Sequence, residues 1–193
     1  DHLATSTATV IDAASQGLEV VRLVSGDPFL DGDIGAEAAA VARADHDVDV
    51  VPGVTGMTAV PEYAGLILHG HDVQLIGDAA CQRDIAGHGS NWSDQGLIVV
   101  NTEAGKLKEV VKHAIESGRG EDEPAALICH GATTQQTTHT VTLGELPQTA
   151  KTARLGDAEP VHVAIGKVVE APEREQLDWS ESKPLFGWNI IIP

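Results

Sequence analysis

A chain of 193 residues that is 42% hydrophobic can bury a sizeable core without disulfides or a structural metal. Aromatics make up only 3% of it, so Ala, Val, Ile and Leu must fill that core, a composition suited to alternating helices and buried strands. Twelve basic and 29 acidic residues give a formal net charge of −17, which argues against nucleic acid and anionic membrane surfaces as partners.

In chain order, Leu3–Gly17 reads as a helix, with Val10, Ile11 and Ala14 on one side and Gly17 as a C-terminal stop. Leu18–Val24 is a short β-branched run, interrupted by Arg22, and reads as a strand. Ser25–Asp33 is a Gly/Asp/Pro loop, Ile34–Ala44 an Ala-rich helix, and Val48–Val51 a second strand. Pro52-Gly53 breaks that strand, and Thr55–Tyr63 begins a new helix. This alternation predicts a parallel sheet with crossover helices, with the loops after Val24 and Val51 at its carboxyl edge, where α/β sheets bind ligands.

Further on, strands are expected at Val73–Ile76, Leu97–Val100, Ala125–Cys129, Thr137–Leu143 and Val161–Ile165. Ala104–Glu116 carries one apolar stripe of Leu107, Val110, Val111, Ala114 and Ile115 and reads as a helix. Glu145–Arg154 is helical if Pro147 lies in its first turn. The Gly/His/Asp stretch between Ile76 and Leu97 carries weak signals. The boundary between lobes is expected near Gly70–Asp72. Trp188–Ile192 reads as a buried strand that opens another module.

Cys81 and Cys129 lack CxxC spacing and form no disulfide framework, and Cys129 in Ala-Leu-Ile-Cys reads as a buried thiol. No apolar stretch is long enough to span a bilayer, and the expected setting is cytoplasmic. The chain opens without an initiator Met, so a segment upstream of Asp1 is expected. His69, His71 and His88 have no companion ligands at clean metal spacing, and no metal is assigned. Asp31, Asp33, Asp45, Asp47 and Asp49 lack the EF-hand pattern and read as a solvated acidic rim.

Two segments carry the chemistry. Val20-Val-Arg-Leu-Val-Ser-Gly-Asp-Pro-Phe29 is a strand running into a small-residue turn. There Gly26 admits close backbone approach, and Asp27 offers an acceptor for an amine or hydroxyl. Val50-Val-Pro-Gly-Val-Thr-Gly56 is a second strand end and turn, followed by a helix start whose backbone N–H groups are free. Thr55 would cap that helix.

The pair Arg22-Leu-Val-Ser-Gly-Asp-Pro-Phe29 and Val51-Pro-Gly-Val-Thr55 resembles the tetrapyrrole methylase family, and within it the uroporphyrinogen-III C-methyltransferases. The likeness continues through Pro61-Glu-Tyr-Ala-Gly65, Cys129-His-Gly-Ala-Thr-Thr-Gln-Gln136, Ile165-Gly-Lys-Val-Val169 and Leu177-Asp-Trp179. Leu185-Phe-Gly-Trp188 and Ile190-Ile-Ile-Pro193 are similar to the entry of a uroporphyrinogen-III synthase module, as in a methyltransferase–synthase fusion.

The resemblance implies an α/β fold of two lobes with a cofactor cleft between them, the first lobe truncated at its N-terminus. It implies 1–71 as the C-terminal part of the first lobe, 72–183 as the second, and 184–193 as a linker or first strand of the synthase-like module. It implies S-adenosylmethionine as cofactor, uroporphyrinogen III as substrate on a route to precorrin-2, sirohaem and cobalamin, and a homodimer. Cofactor contacts carried over are Ser25, Gly26, Asp27, Leu30, Thr55, Gly56, Asn101 and Gly131. The acid/base groups would lie upstream of Asp1, so no catalytic residue is assigned.

Several positions depart from the family. Ser25 replaces a glycine, Val24 a lysine, Asn101 a methionine, and Thr137 stands where arginine is common; Leu68-His-Gly-His71 replaces a Thr-His-Arg. Loss of cations on an acidic surface opposes a polycarboxylate substrate, with Arg22, His69, His71, Arg83 and Lys106 as compensators. The alternative function is a catalytically weakened methylase-like scaffold attached to a uroporphyrinogen-III synthase.

Overall fold

The computed structural model describes residues 2–32, 34–89, 91–177 and 179–188. The chain divides into two compact units, Asp1–Thr55 and Gly56–Pro193. The division falls earlier than Gly70–Asp72, because Met57, Val60, Ala64 and Leu66 pack into the core of the second unit.

The first unit holds α1 (His2–Ser15) and α2 (Ile34–Arg43). Glu37 of α2 is 4% exposed. Its carboxylate accepts the Ser6 hydroxyl at 2.8 Å and pairs with Arg22 Nε at 3.2 Å, tying α1, α2 and the segment before Ser25 together. A buried carboxylate is tolerated when it is paired in this way. Arg22 is therefore committed to Glu37.

The strands expected at Leu18–Val24 and Val48–Val51 form no ladder, and the parallel sheet expected here is absent among the described residues. β-Branched composition favours a pleated, half-buried surface, but a strand also needs hydrogen-bonded neighbours. Neither run has them. Val21, Leu23 and Val51 are more than four-fifths exposed, while Val20, Val24, Val48 and Val50 are about half as exposed.

The second unit is built on a five-stranded sheet of order β1-β2-β5-β3-β4: β1 (Val73–Ile76), β2 (Leu97–Glu103), β3 (Pro124–Cys129), β4 (Thr137–Thr142) and β5 (Pro160–Ile165). β1 and β2 run parallel, connected through α4 (Asp78–Ile85); the other pairs are antiparallel. All five expected strands are present, with ends that agree to within three residues. The mixed α/β class follows from them.

Strand alternation sorts the core into two layers. Ile98, Val100, Leu127, Val163 and Ile165 face one way, onto Leu107, Val110 and Ala114 of α5 (Leu107–Glu116) and Leu146 and Ala150 of α6 (Leu146–Thr152). Val99, Ala126, Ile128 and Ala164 face the other way, onto Met57 and Val60 of α3 (Gly56–Tyr63). The expected helix at Ala104–Glu116 is a 3₁₀ turn, Ala104–Lys106, running into α5. The one at Glu145–Arg154 narrows to α6, with Pro147 in its first turn as required.

α4 lies in the weakly patterned stretch. Its inward positions are Cys81 and Asp84, and Asp84 accepts the Trp92 indole N–H at 2.8 Å. A polar residue on the inward face hides the apolar period. Past β5, Lys167–Glu170 forms a 3₁₀ turn and Pro172–Gln176 forms α7. The expected strand at Trp188–Ile192 lies, apart from Trp188, outside the described residues.

Candidate cofactor site

In the first unit the two motif corners meet. Gly26 has φ +73°, and a Cβ there would lie 2.1 Å from Asp31 Oδ2. The Asp27 N–H donates to that same oxygen at 2.7 Å. Asp27 folds its own carboxylate back over the turn: Oδ1 accepts the N–H groups of Phe29 (2.9 Å) and Leu30 (3.0 Å). Its Oδ2 accepts the N–H of Gly53 at 3.3 Å. Asp31 closes the clasp by accepting the Thr55 hydroxyl at 2.7 Å.

At the junction, a Cβ on Gly53 would sit 2.1 Å from the Gly26 carbonyl oxygen. Gly53 is there because two backbones touch, and Gly26 because its φ is left-handed and the Asp31 side chain fills the space a Cβ would take. Asp27 acts first as a clip for backbone donors, though a carboxylate retains lone pairs for a further donor. Asp31 is exposed, as expected of a rim residue, and is also a staple between the corners. The outward surface is Ser25, exposed, and Leu30 and Val54, at 50% and 76% exposure. Beside the exposed Asp31, that surface is small or apolar.

In the second unit Gly56 opens α3, and a Cβ there would lie 3.4 Å from His162 Nε2. His162 is paired across β5 and β2 with Asn101, and across β5 and β3 with Ile128, which in turn pairs with Thr138. Asn101, His162, Ile128 and Thr138 thus form one row across the α3 face of the sheet. Gly131 follows β3, and a Cβ on it would lie 2.5 Å from Val60 of α3. Gly56, Asn101 and Gly131 therefore all belong to the α3 side of the sheet.

Gly131 is flanked by two non-glycine residues in the left-handed region, His130 (φ 50°) and Ala132 (φ 57°). Gln136, 1% exposed, accepts the Ala132 N–H through its side-chain carbonyl at 2.7 Å. The preceding Cys129 is buried, and burial raises its thiol above the ordinary value, so it is no nucleophile.

Sequence reasoning missed His162, Gln136 and Glu181. His162 was legible as the one polar inward position in Val-His-Val-Ala-Ile. Gln136 and Glu181 carry no local signal, because their roles depend on a contact spanning 45 residues. Among the described residues, no group of three His, Cys, Asp or Glu is placed to hold a metal ion, and no helix is long and apolar enough to cross a membrane.

The chain is similar to proteins of known kind. It is 33% identical over 183 residues to siroheme synthase 1 of Serratia proteamaculans (strain 568), covering 91% of this chain. It is 36% identical over 183 residues to a siroheme synthase of Ectopseudomonas mendocina (strain ymp), covering 89% of this chain. It spans 37% of the length of each of those relatives. Among solved structures, a uroporphyrin-III-C-methyltransferase from Thermus thermophilus superposes with a TM-score of 0.73 at 26% identity, over 90% of this chain and 74% of that one. A cobalt precorrin-4 methyltransferase shares the fold, with a TM-score of 0.68 at 21% identity, over 88% of this chain and 72% of that one.

The family model for the tetrapyrrole (corrin/porphyrin) methylases matches residues 2–147, which takes in both corners of the first unit and the sheet of the second as far as β4. The chain belongs to the tetrapyrrole (corrin/porphyrin) methylase family.

Proposed function

We propose that this chain is the cofactor-binding part of an S-adenosylmethionine-dependent methyltransferase that C-methylates uroporphyrinogen III. The observation that carries the reading is the clasp between Gly26-Asp27 and Gly53–Thr55. Two family motifs, far apart in sequence, are locked into one corner by Asp27 and Asp31. The likeness to siroheme synthases and to a uroporphyrin-III-C-methyltransferase supports it. So does the fold shared with a form of the Thermus thermophilus enzyme complexed with S-adenosylhomocysteine, at a TM-score of 0.64.

The residues present fit such a cofactor. Gly26 and Gly53 keep side chains out of the corner, Ser25 and Leu30 offer a small hydroxyl and an apolar surface, and Thr55 is held by Asp31. In the second unit Gly56, Asn101 and Gly131 are the proposed contacts. Bound S-adenosylmethionine supplies an electrophilic methyl group on a sulfonium. The protein's part is to orient it and keep water away, which calls for rigid backbone and apolar surface more than for charged side chains. Asp27 and Asp31 supply that rigidity.

The reading extends to a homodimer in the cytoplasm, with a uroporphyrinogen-III synthase module joined behind residue 184. Titration calorimetry with S-adenosylhomocysteine on the full-length protein tests it. Micromolar binding is expected, and no binding would favour a scaffold instead.

A further inference from the structure

The turn that carries Gly131 is held partly from within and partly by a side chain from its end. His130 and Ala132 both adopt left-handed backbone, which costs a non-glycine residue about 1–2 kcal/mol. Thr133 helps from within, its hydroxyl donating to the His130 carbonyl at 2.7 Å. The Thr133 N–H also donates to the His130 carbonyl and the Gln136 N–H to the Thr133 carbonyl, each at 3.2 Å. The Ala132 N–H, between the two left-handed residues, is held by the buried side chain of Gln136, whose carbonyl accepts it.

An amide can face either way, since its oxygen and nitrogen are nearly the same shape. What sets the orientation of Gln136 is Glu181. The Glu181 Oε1 accepts Gln136 Nε2 at 2.9 Å and the Thr138 hydroxyl at 2.6 Å, and its Oε2 accepts the Thr138 N–H at 3.1 Å. An ionised carboxylate only accepts, so it compels the amide nitrogen outward and turns the amide oxygen towards Ala132. Trp179, two residues earlier, stacks on Tyr63 with ring centroids 5.0 Å apart and donates its indole N–H to the Glu62 carbonyl at 3.3 Å, fixing this segment to the end of α3.

We propose that Glu181 is a positioning residue for cofactor binding: acting through Gln136, it fixes the left-handed turn that presents Gly131. This rests on the methyltransferase reading above.

The test is S-adenosylhomocysteine affinity by calorimetry and Tm by circular dichroism, on the full-length protein and its Glu181→Ala, Glu181→Gln and Arg174→Met variants. Arg174 ties the same C-terminal region to the Ala64 carbonyl and the Thr140 hydroxyl. Glu181→Ala is expected to weaken binding roughly tenfold. Glu181→Gln should fall between it and the parent, because its oxygen still accepts from Gln136 while its NH₂ opposes the Thr138 N–H. Arg174→Met should lower Tm and keep the affinity within about twofold. The proposal is overturned if Glu181→Ala binds like the parent, or if Arg174→Met weakens binding as much as Glu181→Ala for the same loss of Tm. Absence of binding by the parent overturns the methyltransferase reading and this proposal together.

Discussion

The contact between Gly53 and Gly26 can be pried apart by one methyl group. Gly53→Ala would place a Cβ 2.1 Å from the Gly26 carbonyl oxygen, where contacts under 3.0 Å are essentially never seen. The two corners must then part by about 1 Å, and the obstacle is backbone on a turn already clipped by Asp27 and Asp31. Overpacking of this kind costs about 1–3 kcal/mol. An unstrained Gly→Ala change instead gains about 0.4–1 kcal/mol from the unfolded chain.

Gly77 supplies the control, since nothing lies within 4 Å of a Cβ built there and its φ is −67°. Urea unfolding should show Gly53→Ala clearly more destabilised than Gly77→Ala, which loses only the preference of the α4 N-cap for Gly over Ala. Calorimetry with S-adenosylhomocysteine should show roughly tenfold weaker binding for Gly53→Ala alone, about 1.4 kcal/mol. If Gly53→Ala matches Gly77→Ala in both measurements, the clasp is neither tight nor part of the cofactor site.

Three further outcomes are expected. Arg119 has a side chain 1% exposed, pairs with Glu123 at 2.5 Å and donates to the carbonyls of Ser93, Gln95 and Gly96. Arg119→Met should cost about 3–5 kcal/mol in urea unfolding, with part recovered by adding Glu123→Gln, because the partly buried Glu123 carboxylate loses its partner while three carbonyls lose their donor. Burial pushes the Cys81 thiol up to about 11. The folded state therefore holds this proton more tightly than the unfolded chain. Its contribution is intact below about pH 9 and is lost as pH rises towards 11, so Cys81→Ala should flatten the fall of urea midpoints across that window. Finally, a chain of net charge −17 repels a polycarboxylate, so KM for uroporphyrinogen III should fall as salt is raised from low ionic strength towards about 0.1 M, where the screening length is about 10 Å. A KM that rises with salt would point to a cationic patch that the sequence does not display.

How much of this was legible depended on whether the signal was local. The five strands of the second unit announced themselves because each is a β-branched or apolar run, and Pro160–Ile165 sits at the centre of the sheet. α5 was legible from Leu107, Val110 and Ala114. α4 was not, because Asp84 occupies an inward position and its partner, Trp92, lies beyond the helix. The runs Leu18–Val24 and Val48–Val51 carry the same β-branched signal as true strands, yet pairing partners are a tertiary property that composition cannot report. In the site, the glycine corners were readable as turns. Asp31, Gln136 and Glu181 were not, since what they do is accept hydrogen bonds from, or pass them to, residues brought near by the fold.

The most direct measurement is methyl transfer itself. Incubating the full-length protein with uroporphyrinogen III and methyl-labelled S-adenosylmethionine, then reading the tetrapyrrole by mass spectrometry, should reveal label on the macrocycle in amounts that track added enzyme. Label that stays wholly on the cofactor, under conditions where an authentic uroporphyrinogen-III C-methyltransferase turns over, would contradict the account.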